Sequence, residues 1–198
     1  MSETTRTPAL SPATEALHIG NNRDFVDRCV SAITRSGVNG HGDVAQIAPQ
    51  LFNWITDERN LRAAWDYLAA YGGQSSGPNG LRYADLSEYE TWSLMRCLRD
   101  ATRAGIYFPG PVRKVRVPKL SGTGSRTITL QNIEDRVVAR AITQIIQPIL
   151  NANFDTASFG YRPGLSRMHA LATAEVNVTG EKRTCLIVDD GKDAFDNI

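Results

Sequence analysis

Arg113-Lys114-Val115-Arg116-Val117-Pro118-Lys119-Leu120-Ser121-Gly122-Thr123-Gly124-Ser125-Arg126-Thr127-Ile128-Thr129-Leu130 breaks the helical periodicity of the sequence around it. Val115, Val117 and Pro118 are interleaved with Lys114, Arg116 and Lys119, and Arg126 to Leu130 is β-branched. Ser121 to Ser125 supplies the glycines of a tight reversal. This spacing predicts a β-hairpin with a Gly-rich tip and cations near that tip.

The flanks read as helices. Asn22 to Ser36 puts Phe25, Val26, Cys29, Val30 and Ile33 on one face, and Asp43 to Trp54 is a second helical stretch after a Gly-rich loop. Thr56 is the expected cap of a helix with Leu61, Ala64, Trp65 and Leu68 as its stripe, ended by Gly72-Gly73. Asp85 to Ala104 is expected to be helical, with Leu86, Tyr89, Leu94, Leu98 and Ala101 inward. Beyond the hairpin, Asn132 with Asp135 has capping-box-like spacing, and Val137, Val138, Ala141, Ile142, Ile145 and Ile149 form the apolar side. Pro148 is expected to kink or end that helix. Arg136 reads as an ion-pair partner of Asp135. Ser166 opens a further helix, on which His169 reads as a packed histidine. Thr184-Cys185-Leu186-Ile187-Val188 reads as a short buried strand that delivers Asp189 and Asp190. A carboxylate held rigidly at a strand end suits a hard cation such as Mg²⁺.

The 198 residues are 41% hydrophobic and 8% aromatic, the composition of a globular chain. Formal net charge is +1, so total charge selects no partner, but its distribution does. Arg96, Arg99, Arg103, Arg113, Lys114, Arg116, Lys119 and Arg126 are offset only by Asp100 within that span. Such a block is the footprint of a polyanion site, or else a solvated basic face. Cys29, Cys97 and Cys185 are odd in number and far apart, which argues against a disulfide framework and for a reducing, cytoplasmic compartment. No Cys/His pair has metal-ligand spacing. No apolar run suits a membrane helix or a signal peptide, so no membrane partner is expected.

Several stretches together resemble the reverse transcriptases of group II introns, retrons and related bacterial elements. Asn60-Leu61-Arg62-Ala63-Ala64-Trp65 followed by Gly77-Pro78-Asn79-Gly80 resembles the family's first helix and its GxDG turn, with Asn79 where Asp is usual. Gly105-Ile106-Tyr107-Phe108-Pro109 through Lys119 resembles the approach to the fingers hairpin. Gly124-Ser125-Arg126-Thr127-Ile128 is similar to its return strand, with Thr127 in place of Pro. Ile133 to Val138 is similar to the DRVV helix start. Ser158-Phe159-Gly160-Tyr161-Arg162-Pro163-Gly164 with His169-Ala170-Leu171 is similar to SYGFRPGRSxHxAL. Val188 to Ile198 resembles the palm motif carrying the first catalytic Asp. These motifs keep the family's order; residues before Thr56 are not covered.

The resemblance implies an α+β architecture of fingers and partial palm, with helices packed on a small mixed or antiparallel sheet and the palm cut short. Residues 1–20 would be a mobile leader, 21–55 an N-terminal helical extension, 56–183 the fingers and fingers–palm region, and 184–198 the start of the palm. It implies RNA-directed DNA polymerisation, with RNA template, DNA primer, dNTP, and intron or retron RNA as partners and Mg²⁺ as cofactor. Asp190 matches the first catalytic metal ligand, and Gly191 the residue whose carbonyl also meets metal, although an apolar residue is usual there. Phe195 matches a steric gate against the ribose 2′-OH. Lys119 and Arg126 would fold onto the triphosphate, and Arg162 would line the nucleotide side. Arg113, Lys114 and Arg116 would follow template phosphates.

The Tyr-x-Asp-Asp that completes such a metal site does not occur in this sequence. One carboxylate holds Mg²⁺ feebly. The sequence therefore leaves open an N-terminal piece of a longer product, an element remnant, or a split enzyme completed by a second chain or downstream segment. It likewise leaves open a non-catalytic basic RNA-binding module.

Overall fold

The computed structural model describes residues 12–37, 41–119, 122–183, 185 and 187–189, with side chains from Asn22 onward in the first helix and from Val44 onward in the second. The architecture is α+β: α1 (Pro12–Ser36), α2 (His41–Ile55), α3 (Glu58–Tyr71), a 3-10 turn (Tyr83–Asp85), α4 (Glu88–Arg103), β1 (Arg113–Pro118), β2 (Ser125–Leu130), α5 (Ile133–Asn153) and α6 (Arg167–Thr179). The chain forms two compact units, Met1–Ala152 and Asn153–Ile198. Among the described residues no helix is long and apolar enough to cross a membrane.

In the first unit the core is built by helices packing on helices. Leu61, Ala64 and Trp65 of α3 meet Met95 and Leu98 of α4 and Ile133, Val137, Val138 and Ala141 of α5, with Tyr83 closing the group. Trp65 and Tyr83 meet edge-on, with centroids 4.9 Å apart, a favoured aromatic geometry. A second cluster joins Phe25, Val26, Cys29 and Ile33 of α1 to Leu51, Ala63, Ile145 and Ile149. Thus α3 and α5 each face both clusters, and α1 and α2 share the core of the later helices. The expectation of helices laid on a sheet is corrected here: no described hairpin residue enters either cluster, and its apolar residues Val115, Val117 and Leu130 are only half-buried.

Caps and stripes differ from the sequence reading in places that have local causes. α1 begins at Pro12, inside the stretch expected to be a leader; proline at a first helical turn costs nothing, since its missing N–H would have no partner there. Thr56 does not cap α3. Its hydroxyl donates back to the Phe52 carbonyl at 2.8 Å, and Asp57, in extended conformation, accepts the Arg59 N–H instead. α4 starts at Glu88, where Ser87 and Glu90 form a reciprocal capping box. Thr91, Met95 and Leu98 lie on the buried face, Met95 fully so, and Tyr89 is 69% exposed. Tyr89 lies two positions from Thr91, about 200° round the helix.

On α5, Ile142 is 39% exposed while Gln144 is buried. Gln144 Nε2 donates to Asn60 Oδ1 at 2.6 Å and to the Asn60 carbonyl, and Asn60 Nδ2 donates to the carbonyls of Ile55 and Ala141. Buried amides are tolerated when paired in this way. Pro148 does not end α5, which continues to Asn153; Ile145 and Ile149 on either side are buried and hold the turn in place.

Arg62 of α3 is buried, which the sequence did not signal. Its guanidinium donates to both Glu88 carboxylate oxygens at 2.6 and 2.7 Å and to Asp66 at 2.8 Å, and it lies 5.3 Å from the centroid of the Trp92 ring. Such a two-pronged pair ties α3 to the start of α4. Burial pushes the Asp66 carboxyl above its usual range against the pull of Arg62.

Candidate nucleic-acid interface

β1 and β2 form one antiparallel hairpin, paired Arg113 to Leu130, Val115 to Ile128, Val117 to Arg126 and Pro118 to Ser125. The tip closes through the Lys119 N–H on the Gly124 carbonyl at 3.1 Å and the Gly122 N–H on the Lys119 carbonyl at 3.0 Å. Gly122 and Gly124 sit at φ 78 and 84, a region that favours glycine. Directly opposed residues share a face and successive residues alternate. One face therefore carries Arg113, Val115, Val117 and Lys119 with Leu130, Ile128 and Arg126; the other carries Lys114 and Arg116 with Thr129 and Thr127. Val115 and Val117 are half-buried, and the cations are exposed.

The register thus brings Lys119 and Arg126 to one face near the tip and puts Lys114 and Arg116 on the opposite face. Arg113, grouped with Lys114 and Arg116 by sequence, falls on the first face and donates to the Ser76 carbonyl at 2.8 Å. Among the described residues no carboxylate pairs with Lys114, Arg116, Lys119 or Arg126. The α4 portion of the basic block behaves differently. Arg99 is paired to Asp100 and to Glu58 of α3 at 2.8 and 2.9 Å, and Arg103 donates to the Thr56 hydroxyl. Arg99 thus ties α3 to α4 and Arg103 reaches the residue between α2 and α3, whereas among the described residues Arg96, like the four hairpin cations, has no carboxylate within ion-pair distance.

The base of the hairpin is fastened to the start of α5. Asn132 packs between two glycines: a Cβ at Gly77 would come within 2.5 to 2.6 Å of Asn132 atoms, and one at Gly110 would overlap its side-chain amide. Asp135, 8% exposed, does not close a capping box. It accepts the Tyr107 hydroxyl and, at 3.1 Å, the Gly110 N–H. Burial, then that bond to Asp135, pushes the Tyr107 phenol well above its usual range. Nor does Arg136 pair with Asp135; it donates to the carbonyls of Gly73, Ser75 and Gln131, stapling the connector after α3. Asn79 accepts the Leu81 N–H with Oδ1 and donates to Glu134 with Nδ2 at 2.8 Å. An aspartate at 79 could not donate, and would set two carboxylates against each other; the amide suits this chain because Glu134 faces it.

In the second unit, Arg162 donates to the carbonyls of Asp155 and Ser158 at 2.9 and 2.8 Å, and its guanidinium lies 5.7 Å from the Phe154 ring centroid. Tyr161 beside it holds φ 55 and is fully exposed. Ser166 caps α6 as expected, but His169 is exposed and shares a capping box with Ser166, its Nδ1 3.1 Å from the Ser166 nitrogen. It is a cap partner, not a packed side chain. The expected buried strand is also corrected: Cys185 is exposed, Ile187 and Val188 are each 85% exposed, and none of the described residues there is in a strand. β-branched residues need a neighbouring strand to become a sheet, and the described strands pair only with each other. Asp190, Gly191 and Phe195 lie outside the described residues, as do Thr184 and Leu186. Among the described residues no three His, Cys, Asp or Glu side chains gather as a metal site would require.

The chain matches no protein-family model. It is 32% identical over 174 residues to Protein YkfC of Escherichia coli K12, covering 78% of this chain and 45% of that one. It is 24% identical over 172 residues to the group II intron-encoded protein LtrA of Lactococcus lactis subsp. cremoris, covering 85% of this chain and 27% of LtrA. It is 26% identical over 152 residues to a putative COX1/OXI3 intron 2 protein of Saccharomyces cerevisiae, covering 76% and 17%. The chain thus spans less than half the length of each of these relatives. Over 85% and 76% of its length respectively, it is similar to an intron-encoded protein of a bacterium and an intron protein of yeast.

Proposed function

We propose that this chain is the RNA-gripping, fingers-like part of a reverse transcriptase of the group II intron or retron type. The observation that carries the reading is the hairpin, with exposed cations on both faces and no acid paired to Lys114, Arg116, Lys119 or Arg126 among the described residues. Exposed, uncompensated cations at alternate positions suit a phosphate backbone read without regard to sequence. Similarity to intron-encoded proteins makes RNA the favoured polyanion.

On this reading Lys114 and Arg116 hold template phosphates, while Lys119 and Arg126, on the other face, meet the triphosphate of a dNTP. Arg126 can grip it with two prongs and Lys119 as a point charge. Arg162, already bound to loop carbonyls, acts by shaping the loop beside the nucleotide. Asp190 with the Gly191 carbonyl is this chain's share of a Mg²⁺ site, and Phe195 the ring that crowds a 2′-OH. Mg²⁺ would supply charge neutralisation in the in-line attack of a primer hydroxyl. One carboxylate is a weak site, so the chain's own contribution is binding and positioning, and polymerisation awaits acids from elsewhere. The same exposed hairpin cations suit a second reading, a basic RNA-binding module without catalysis.

Fluorescence anisotropy with a labelled single-stranded RNA tests the common part. The chain is expected to bind in low salt with affinity falling steeply as salt rises, and Asp190→Ala to bind equally well. No binding in low salt would end both readings.

A further inference from the structure

Away from the hairpin, α3 and α5 build a second cationic surface of different chemistry. The Arg140 guanidinium of α5 lies 3.8 Å from the centroid of the Tyr67 ring. Tyr67 in turn meets Tyr71, one helical turn on along α3, with centroids 5.2 Å apart and planes tilted by 49°. Tyr71 is 79% exposed and Tyr67 39%. An exposed tyrosine braced by a second ring presents an apolar face with room for a flat partner.

Among the described residues no acid is paired with Arg140. Its Nε is buried without an acceptor, and among the described residues it makes no hydrogen bond or ion pair. Burial, with Arg23 nearby and against the favourable pull of Tyr67, disfavours its charge. Arg23 is itself occupied by Asp27 at 3.2 Å. A buried-edge guanidinium normally finds a carboxylate; among the described residues this one meets an aromatic face instead.

We propose that Tyr71, Tyr67 and Arg140 form a stacking platform for an unpaired RNA base, with Arg140 facing the adjoining phosphate. A lone cation would suit any polyanion, and a lone ring any apolar partner. The two side by side on one surface suit a ligand that alternates π-faces with anionic charge. The proposal rests on the reading that the chain binds RNA, and adds a site that reads unpaired bases to the hairpin's contacts with backbone.

The test compares single-stranded RNA, duplex RNA and heparin, by anisotropy and competition, on the chain and on Tyr71→Ala, Tyr71→Phe and Arg140→Gln. Losing one base stack should weaken single-stranded RNA binding about 5- to 150-fold in Tyr71→Ala, with duplex and heparin binding unchanged. Tyr71→Phe, which keeps the ring, should bind as the parent does, and Arg140→Gln should weaken binding of single-stranded RNA. Tyr71 is exposed enough that its variants fold. Photocrosslinking of 5-iodouridine RNA should mark the tryptic peptide containing Tyr71. Unchanged RNA affinity in Tyr71→Ala, or equal losses for RNA and heparin, overturns the platform. If the hairpin variants lose RNA while Tyr71→Ala does not, the platform alone fails; if the parent chain binds no RNA, both fail.

Discussion

Replacing Lys114 and Arg116 together by alanine probes one face of the hairpin and leaves the other intact, since the register puts Lys119 and Arg126 across the pleat. Neither residue is in a core cluster, and no carboxylate pairs with them among the described residues. The thermal midpoint should therefore stay within about 2–4 °C of the parent's, because exposed substitutions of this kind are near neutral. Binding should change in a calculable way. Each phosphate contact to a single strand contributes about 0.7 to the slope of log K against log salt, so two lost contacts should lower the slope by about 1.4. At about 0.1 M salt that amounts to a loss of about 25-fold in affinity. Anisotropy titrations of a labelled RNA at four or five salt concentrations give both numbers. Arg113→Ala should do less, as that guanidinium is engaged by the Ser76 carbonyl. An unchanged slope in the double variant would refute the assignment of this face to phosphate.

Three further outcomes follow from particular contacts. Arg62→Ala strands Asp66 and Glu88, which are 19% and 22% exposed; the cost should be about 2–4 kcal/mol in urea unfolding, below the about 3–5 of fully enclosed pairs. Asp66 already has a raised carboxyl pKa, so its contribution to stability is fully present below the unfolded value and is lost as pH rises through the folded one. Without Arg62 that pKa rises further, so the deficit should be larger at pH 7 than at pH 4.5; an equal deficit at both would contradict it. Gly110→Ala should destabilise by about 1–3 kcal/mol through overlap with Asn132, a cost that thermal melts can read, whereas a neutral change would show that the contact is loose. Joined to a segment bearing the missing acids, Asp190→Ala should abolish primer extension with RNA affinity intact, Phe195→Ala should admit ribonucleotides, and Arg126→Ala should raise the nucleotide KM more than it weakens RNA binding; near-normal extension, unchanged ribonucleotide rejection or the reverse KM pattern would each remove the corresponding role.

The hairpin was legible because period-two alternation and a Gly-rich tip have few other solutions, the Asn22–Ser36 part of α1 and the body of α3 because their stripes are local, and the start of α6 because its Ser166 cap is. What local pattern could not resolve was the phase of a helix face. Tyr89 and Met95 both fit an amphipathic α4, and only packing against α3 and α5 selects the face that carries Met95. Ile142 lost its place to Gln144 because Asn60, far away in sequence, offers that amide a partner. Asp135 and Arg136 read as a local pair, yet each bonds to a different connector. The segment from Cys185 to Val188 has strand composition, but composition cannot supply a neighbour. The basic block was visible in the sequence, and its division into hairpin cations and helix-joining arginines was not, since Glu58 pairs with Arg99 across 41 positions.

The pleat of the hairpin also constrains how its length can vary. Inserting a single residue ahead of Lys114 would rotate Val115 and Val117 into water and turn Lys114 and Arg116 toward the apolar side, exchanging the duties of the two surfaces. The arms can lengthen or shorten only by even steps, matched on both strands, so homologous hairpins of different reach should differ in parity-conserving increments.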